Sequence, residues 1–379
     1  VQTCALPISV TSAQILELLS NEDISVRIDA VSKLGDVDPS EREVIFNKVS
    51  EDFNHEVREA AANLICLCPQ CYQKYLSDPD PQVRIAIINN SVEIRKFLGL
   101  QETTFLKSFD ALVNDSVAEV RCALANILHQ HAKVDGEVSK DLVLDKIVPL
   151  IDKLLSDRHD DVRVAASLNI KELTILFGYD FVFEKLYNSL HHMLTDTQWR
   201  VRNNAVDLLF GLALVCSSDF FDQNLFQFLM QFLKDPCNKV REFALSALPT
   251  LASHFGDNWL RTKLITNLQE LGQSQNFLHR ETYLLSISAL ASFFPVQYQS
   301  NYVFQPMIRM LRDQVNNVVL LAIELLSQHR ESIHPFRRQY ELKPILENLV
   351  ETSPPTIKER ANAFLAERSE ERRVGKECR

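Results

Sequence analysis

The sequence contains very little glycine, and no stretch rich in proline, glycine and serine interrupts its 379 residues. Eight glycines in a chain of this length disfavour a sheet fold with many tight turns. Leucine, alanine, glutamate, lysine and arginine are abundant instead, and these residues favour helices. A single compact core seldom serves so long a chain, so the absence of a linker favours an architecture that grows by adding units.

Long apolar runs and an excess of basic residues are also missing. The longest apolar run is about nine residues, from Leu208 to Cys216, which is too short to cross a bilayer. The formal net charge is −10 and the basic residues are dispersed, so we expect no nucleic-acid-binding surface. No signal peptide is visible. We therefore expect a soluble cytoplasmic protein, present also in the nucleus, that binds neither membrane nor nucleic acid.

The cysteines do not form a complete metal-binding pattern. Cys66, Cys68 and Cys71 supply at most half a zinc site, because no second pair of ligands follows at the required spacing. We expect reduced thiols, no metal and no cofactor. Neither a nucleophile elbow nor a glycine-rich phosphate loop is present, so we expect no catalytic residue and no enzymatic activity.

The second half of the chain instead contains a repeat of 39 residues. Four kinds of residue recur at this interval and form columns. They are a mostly basic column at Arg163, Arg202, Arg241, Arg280, Val319 and Lys358, an acidic column at Asp157, Asp196, Asp235 and Asp313, an alanine column at Ala166, Ala205, Ala244, Ala322 and Ala361, and an aliphatic column at Ile170, Leu209, Leu248, Ile287, Leu326 and Leu365. A fixed interval of this length is typical of a stack of similar helical units.

Residues 181–216 show what one unit contains. Apolar residues at helical spacing predict a helix over 181–195 and a second helix over 201–215. A short polar turn separates them, in which Asp196 or Thr197 caps the second helix. Two amphipathic helices joined by a tight turn form an antiparallel hairpin, with alanine where helix axes approach closely. The fold class is therefore all-α, an α-solenoid or superhelix of about ten such repeats.

The first half of the chain is less regular. Its hairpins are marked by Arg27, Arg58, Arg84 and Arg121, at intervals of 31, 26, 37 and, up to Arg163, 42 residues. Residues 69–100 have the weakest pattern, being short and rich in Cys, Pro and Asn, and predict an irregular repeat. The acidic and basic columns predict a ladder in which Asp and Arg pair within a repeat and with the next repeat. As exposed pairs, each would contribute about 0–1 kcal/mol.

The pattern Asp-x-x-x-x-Val-Arg-x-x-Ala-x-x-x-Leu on paired helices is that of HEAT repeats. More specific blocks occur in order at 196–202, 219–222, 239–242, 276–280 and 343–347. Together they resemble the C-terminal repeats of the scaffold, or A, subunit of protein phosphatase 2A. The resemblance is good over 143–366 and weak but in register over 9–142, and it matches the chain to the last ten repeats of that family.

The resemblance implies a scaffold without catalytic activity. In that family the C-terminal repeats bind the phosphatase catalytic subunit through the turns within repeats, and the N-terminal repeats bind a variable regulatory (B-type) subunit. We therefore expect 143–366 to face the catalytic subunit and 9–142 the regulatory subunit. The Trp-Arg pair of the family matches Trp199-Arg200, and its Asn-Tyr-Leu-His-Arg turn matches 276–280 with Phe277 in place of Tyr. Val319 replaces the arginine of the following repeat.

The turn residues also indicate partner binding without reference to the family. One turn position contains Asp160, Trp199, Asn238, Phe277, Asn316 and Pro355 in successive repeats. Turns face water, so Trp199 and Phe277, expected on one ridge, depart from the polar pattern, and exposed aromatic residues make good anchors. An alternative is that each ring folds over its own hairpin. The candidate partner-binding residues are Trp199, Arg200, Asn238, Phe277, His279, Arg280 and Asn316, although His279 and Arg280 could equally belong to the ladder.

Three alternatives remain open. The chain could be a HEAT-repeat regulatory subunit of another phosphatase, of type 4, or a transport adaptor of the importin type, although acidic runs on the inner helices are missing. A HEAT-repeat di-iron hydroxylase needs His-Glu pairs from several repeats, and His55-Glu56 is the only such pair. The ends, residues 1–8 and 367–379, do not join the repeat and resemble translated adapter sequence, so we expect them to be foreign.

Overall fold

The computed structural model describes residues 11–99, 103–134, 137–138 and 140–377. The chain divides into two compact units, residues 1–205 and residues 206–379, with the boundary inside one helix, Trp199–Ala213. Each unit is a stack of antiparallel helical hairpins, which confirms the predicted all-α solenoid. We number the hairpins 1 to 10 along the chain. The predicted foreign segment 1–8 lies outside the described residues, and the final helix extends through residue 377.

The first unit contains hairpins 1 to 5 and the beginning of hairpin 6. Each hairpin is given by its first and second helix. They are Ser12–Leu18 with Ile24–Ser32, Arg42–Val49 with His55–Asn63, Tyr72–Leu76 with Pro81–Asn89, Thr103–Lys107 and Phe109–Leu112 with Ala118–Ile127, Lys140–Leu142 and Val148–Leu155 with Asp160–Phe177, and Tyr179–Leu194 with Trp199–Ala213.

Short elements connect the hairpins of this unit. A helix, Ser91–Leu98, follows hairpin 3, and the two-residue strands Lys133–Val134 and Glu137–Val138 pair antiparallel after hairpin 4. The remaining connections are 3-10 turns at Lys33–Asp36, Ile65–Leu67, Pro69–Cys71 and Leu128–Ala132, and a π-helical turn at Val143–Ile147 that continues into the first helix of hairpin 5.

The second unit contains the rest of hairpin 6 and hairpins 7 to 10. Helices Ser218–Asn224, Phe226–Phe232 and Asn238–Trp259 form hairpin 7, and the third of these bends at Gly256 and leads into hairpin 8. The other helices are Ile265–Gly272 with Phe277–Ala289, Val296–Gln299 and Gln305–Met310 with Asn316–Gln328, and Pro335–Arg337 and Lys343–Thr352 with Pro355–Glu377. Connecting π-helical turns lie at Leu260–Leu264, Ser300–Phe304 and Arg338–Leu342, and 3-10 turns at Ala291–Phe293 and Arg330–Ser332.

Stacking of second helices holds each unit together. In the first unit the second helices of hairpins 1 to 5 each contact the next, and in the second unit those of hairpins 7 to 10 do the same. The alanine column lies at these contacts, and Ala166, Ala244 and Ala322 are fully buried. A small side chain allows helix axes to approach to about 8–10 Å. The predicted aliphatic column is also buried, except that Leu365 is half-buried and Phe364 is buried beside it.

Hairpin 8 departs from this column, because Tyr283 occupies the alanine position and is buried. Its ring lies against Gly272, the last residue of the first helix of the same hairpin. A Cβ atom added at Gly272 would lie 2.7 Å from the Tyr283 Cδ1 atom. The missing side chain at residue 272 therefore makes room for the large one at residue 283.

Residues 69–98 form the irregular repeat that the sequence predicts. The first helix of hairpin 3, Tyr72–Leu76, has five residues and follows directly on a 3-10 turn. Tyr75 is fully buried there, and its hydroxyl donates to the Phe46 carbonyl oxygen over 2.6 Å. A large aromatic side chain with a satisfied hydroxyl thus takes over part of the packing that a longer helix would provide.

Candidate functional site

The position read as the tip of each turn is the first residue of each second helix. Helices begin at Asp160, Trp199, Asn238, Phe277, Asn316 and Pro355, all of which belong to that column. This corrects the predicted second helix of hairpin 6, which starts two residues earlier than residue 201. Side chains at a helix start project at the edge of the stack, so the column still forms the surface nearest to the turns.

An aspartate three residues before the helix start shapes most of these turns. The Asp196 Oδ1 atom accepts a hydrogen bond of 2.7 Å from the Gln198 amide, and Asp157 and Asp313 accept equivalent bonds from His159 and Val315. Asp196 therefore stabilises the turn before the helix rather than capping the helix itself. A carboxylate that accepts from the second amide after it lets the chain reverse over very few residues.

Each ladder arginine joins two successive turns. Six arginines bind, through Nε and one terminal nitrogen, both carboxylate oxygens of the aspartate in the next hairpin, with Nε–Oδ2 distances of 2.6–2.9 Å. The remaining nitrogen donates to the carbonyl oxygen six residues earlier, in the arginine's own turn. The pairs are Arg27–Asp52, Arg58–Asp78, Arg84–Asp115, Arg121–Asp157, Arg163–Asp196 and Arg280–Asp313. We call these pairs the ladder.

The ladder confirms pairing between repeats and corrects two details. Within a repeat the arginine binds the backbone carbonyl of its own turn and not the aspartate side chain. The pairs are also buried, because their side chains are 2–13% exposed, whereas exposed pairs were predicted. Bidentate geometry and burial make such pairs stronger than surface pairs and costly to break.

The ladder changes the acidity of its carboxyl groups. Burial raises the pKa of Asp157, but hydrogen bonds from Arg121 and from the His159 amide outweigh it and bring the pKa below its ordinary value. The pKa of Asp313 is lowered in the same way, since hydrogen bonds from Arg280 and the Val315 amide outweigh its burial. Both groups are therefore ionised at neutral pH and act as fixed negative partners.

Trp199 is the large aromatic residue that the first unit exposes at a helix start, with 43% of its surface accessible. Its neighbour Arg200 donates from one terminal nitrogen to Asp161 over 2.7 Å and lies 3.6 Å from Asp160. These acids begin the second helix of hairpin 5, one repeat interval before the Trp-Arg pair. This contact was not predicted from the sequence, although Asp161 and Arg200 have opposite charges and lie one repeat interval apart.

A groove lies between the turns of hairpins 5 and 6, and its wall includes Gln198, the residue before Trp199. It has a volume of about 700 Å³ and contains both charged and polar side chains. Its walls include Asp157, Arg158 and Asp160 from one turn and Thr197 and Gln198 from the other. A groove of mixed charge beside an exposed indole is suited to a protein loop, which offers apolar and polar groups together.

Several candidate residues in the second unit contact neighbouring residues of the same chain. The Asn238 amide donates to Glu242 over 2.6 Å, and its oxygen accepts from Arg241 over 2.8 Å. Phe277 is half-buried, whereas Asn316 is exposed. His279 contacts Ser274 and Asn276 through its two ring nitrogens, at 3.0 and 3.3 Å.

Arg280 belongs to the ladder, which is the structural alternative that the sequence left open. Contacts within the chain, such as the Arg280–Asp313 pair and the hydrogen bonds of Asn238 and His279, do not show whether these residues bind a partner. Trp199 is the exposed aromatic residue among the candidates, and partner binding by all seven stays a prediction.

The described residues show neither a metal-binding cluster nor a helix that could span a membrane. The Cys68 and Cys71 sulfur atoms lie 3.5 Å apart in a buried position, and burial raises the pKa of Cys68 to about 12. Within the described residues, no cluster of three or more His, Cys, Asp or Glu side chains could hold a metal ion. Over the same part of the chain, every helix is too short or too polar to pass through a bilayer.

Comparison with known proteins identifies the type of fold. Residues 167–328 match the family model of Cnd1, the non-SMC mitotic condensation complex subunit 1. No curated protein matches the sequence. The match begins within the second helix of hairpin 5, ends with hairpin 9 and lies inside the regular repeat.

Solved structures of transport receptors are similar over almost the whole chain. The crystal structure of Kap121p matches with a TM-score of 0.66 and 14% identity, and covers 93% of this chain and 40% of its own. Importin beta matches with a TM-score of 0.59 and 14% identity, over 93% of this chain and 48% of its own. Kap121p bound to RanGTP gives 0.60 and 15%, over 93% and 44%. This chain therefore spans less than half the length of these structures, and the shared feature is the HEAT-repeat solenoid.

Proposed function

We propose that this chain is a scaffold that holds a protein partner at the starts of its second helices and contributes no catalytic residue. The observation that carries the proposal is the exposed Trp199 beside Arg200, directly after Gln198 in the wall of a mixed-charge groove. The exposed 43% of Trp199 offers an apolar surface to a partner. Aromatic residues with an adjacent arginine are the side chains that most often dominate binding energies at interfaces.

We further propose that the partner is the catalytic subunit of a type 2A serine/threonine phosphatase. The sequence blocks that resemble the scaffold subunit of that enzyme include the Trp199-Arg200 pair. The same resemblance assigns the variable regulatory subunit to the earlier hairpins. Such a scaffold promotes catalysis by raising the effective concentration of a substrate-selecting subunit near the active site of another chain.

Binding of the full chain to a type 2A catalytic subunit tests the proposal. We expect the double variant Trp199→Ala/Arg200→Ala to bind at least about 30-fold more weakly, the loss that about 2 kcal/mol at an interface hot spot produces. The measurement is the dissociation constant by titration calorimetry, with circular dichroism to show that the helices are intact.

Tyr187→Ala is the matched control. Tyr187 lies on the first helix of the same hairpin and has the same exposed fraction as Trp199, 43%. We expect this variant to bind as the unmodified chain does. Equal affinities of the double variant and the unmodified chain would rule out Trp199 and Arg200 as the anchor, and no binding by the unmodified chain would rule out this partner.

A transport adaptor is the second candidate, because the similar structures include Kap121p, one of them bound to RanGTP. On this reading the chain would bind a GTP-loaded Ran-type GTPase. The same titration with RanGTP and RanGDP separates the two candidates. Binding that requires GTP and is unaffected by the Trp199→Ala/Arg200→Ala change would favour the adaptor.

A further inference from the structure

The ladder is incomplete between hairpins 7 and 8. At the position of the ladder aspartate, one repeat interval before Asp313, hairpin 8 has Ser274. Arg241 keeps the usual bond to the carbonyl of its own turn, donating to the Asp235 oxygen over 2.8 Å. Unlike the six ladder arginines, it forms no ion pair with the next turn among the described residues, and its second terminal nitrogen donates to the neutral Asn238 side chain instead. The arginine is present and its carboxylate is missing.

Ser274 nevertheless occupies the aspartate position in three dimensions. Its Oγ atom accepts from the Asn276 amide over 3.2 Å, as each ladder aspartate accepts from the second amide after it. Its carbonyl oxygen accepts from Arg280 over 2.8 Å, as the Asp157 carbonyl accepts from Arg163. Both hydrogen bonds that define a ladder aspartate's turn are therefore made, so the side chain at residue 274 starts from the same place as the missing carboxylate.

Positive charge collects around this turn. Arg241 is 7% exposed, which makes its uncompensated guanidinium costly to bury. The His279 ring lies 3.0 Å from Ser274 Oγ, and burial, then the charges of Lys234 and Arg241, lower its pKa. Glu281 is the nearby acid: burial raises its pKa, the charges of Arg241 and Arg280 offset that rise only in part, and Glu281 forms no ion pair with Arg241 among the described residues. An added anion at Ser274 would meet more positive than negative charge.

Hairpins 9 and 10 show what happens when both partners are absent. Thr352 lies at the aspartate position of hairpin 10, one repeat interval after Asp313, and Val319 replaces the ladder arginine that would face it. Val319 is buried, so an apolar side chain takes the place of the arginine, and these two positions hold no charge that needs a partner. At the joint between hairpins 7 and 8, by contrast, the buried cation Arg241 remains, and the residue at the aspartate position of the next turn is Ser274.

We propose that Ser274 is a phosphorylation site whose phosphate takes the place of the missing ladder carboxylate and pairs with Arg241. Phosphoserine carries a charge of about −1.5 to −2 at neutral pH and forms bidentate bonds with arginine, and its side chain is about one bond longer than that of aspartate. The serine lies in a partly exposed turn, between the exposed residues Gln273 and Gln275, where a kinase can bind. This inference does not depend on the identity of the proposed partner.

The modification is an ordinary phosphoryl transfer from a nucleoside triphosphate, catalysed by a protein kinase. The Ser274 Oγ–phosphorus bond forms, and the bond from the γ-phosphorus to its bridging oxygen breaks. The nucleoside diphosphate leaves, and the hydroxyl proton passes to the catalytic base of the kinase. The product joins hairpins 7 and 8 by an ion pair, so phosphorylation would stiffen this joint of the second unit.

The direct test is the full chain with phosphoserine incorporated at position 274, compared with the unmodified chain. We expect the phosphate to raise the midpoint of thermal unfolding by about 2–4 °C, a shift typical of one added strong contact in a unit of this size. Amide hydrogen exchange in the turn before Phe277 should slow. In the Arg241→Gln background the phosphate should produce no gain. A lower midpoint, or an equal gain without Arg241, would overturn the proposal.

A pair of aspartate variants and mass spectrometry of the native protein provide two further tests. Ser274→Asp should raise the midpoint, because it restores the residue found in the ladder, whereas Thr352→Asp should not, because Val319 cannot pair with it. Equal effects of these two variants would show that the gain is not due to Arg241. Mass spectrometry of the chain isolated from its own cells, with phosphatases inhibited, should detect phosphate on Ser274, and its absence under all growth conditions would refute the modification.

Discussion

A single ladder aspartate stabilises both its own turn and the joint to the preceding hairpin. The Asp313 carboxylate accepts from the Val315 amide in its own turn and from the guanidinium of Arg280 in the hairpin before it. The carboxylate needs no water to satisfy these oxygens, which is why it can be buried while charged. The repeat of aspartate and arginine in the sequence thus reflects shared hydrogen bonds at each joint that has a ladder pair.

Loss of one ladder partner should cost more than loss of a surface pair. We expect Arg280→Gln to destabilise the second unit by about 2–3 kcal/mol, between the values for exposed and fully buried pairs, because Asp313 keeps its charge without the guanidinium. The shift of the urea unfolding midpoint measures this effect. Lys239→Gln is the control: its partner is Glu242 and both side chains are more than half exposed, so a change within about 0.5 kcal/mol is expected. Equal shifts would contradict the role of burial.

The contact of Gly272 with Tyr283 predicts a coupled pair of substitutions. Gly272→Ala should destabilise the second unit by about 1–3 kcal/mol, because the new methyl group overlaps the buried ring. Tyr283→Ala should remove most of this penalty, since it restores the alanine of the column. A double-mutant cycle in urea gives the coupling energy. Independent, additive effects would show that the ring can move aside without cost.

At the scale of helices and turns, the hairpins depend on where each helix ends. Gly256 has φ +85° and breaks the long helix Asn238–Trp259, so that hairpin 7 ends and hairpin 8 begins. Gly178 has φ +84° and does the same between hairpins 5 and 6, two repeat intervals earlier in the chain. Two of the few glycines in the sequence are therefore placed where a side chain would be strained.

Substitution of Gly256 tests this explanation. Gly256→Ala should destabilise the second unit by about 1–3 kcal/mol, because an L-residue adopts this backbone conformation only under strain. Gly211→Ala is the control, since Gly211 lies inside the helix Trp199–Ala213 with nothing within 4 Å of the added Cβ. We expect it to raise the unfolding midpoint slightly, by the equivalent of about 0.5–1 kcal/mol. Similar effects at both positions would contradict the proposed role of the positive φ.

At the scale of a whole unit, stability is approximately a sum over hairpins and over the joints between neighbours. The first unit contains an unusual joint, in which His131 is 1% exposed and contacts the rings of Phe105 and Phe109. Burial first, and then the positive charges of Arg95 and His129, lower the pKa of His131 to about 3. Ser91 contacts its Nε2 atom at 3.0 Å. The folded unit therefore holds this ring neutral.

This histidine predicts a pH dependence with a definite sign. Its pKa rises from about 3 in the folded unit towards 6.5 on unfolding, so in that range the unfolded chain binds the additional proton. The free energy of unfolding of the first unit should fall as the pH falls below 6.5, by up to about 1.4 kcal/mol per pH unit from this group alone. Below the unfolded value of 3.8, protonation of Asp157 removes further stability, because its folded pKa is lowered.

Urea unfolding between pH 7 and 4 measures the slope. We expect His131→Gln to flatten it, and His192→Gln, at an exposed position on the first helix of hairpin 6, to leave it unchanged. A slope that persists without His131 would assign the acid sensitivity to other groups.

The sequence predicted some residues of the candidate site better than others. Trp199 stood out because turn positions are normally polar, and the structure places it at an exposed helix start. Its neighbour Arg200 pairs with Asp161, and Phe277, at the same column position, is half-buried. Column position alone could not distinguish the two aromatic residues, because the exposure of a ring depends on how the neighbouring turns pack around it.

The repeat interval by itself determined the fold class, the number of hairpins and the pairing of arginines with the next aspartate, because a fixed spacing forces equivalent residues into equivalent positions along a stack. Only the tertiary structure decided that the ladder is buried, that Gly272 accommodates Tyr283, and that Arg241 donates to the neutral side chain of Asn238. The first two features depend on distances between side chains of different helices, and a pattern along one chain contains no information about how closely those helices approach.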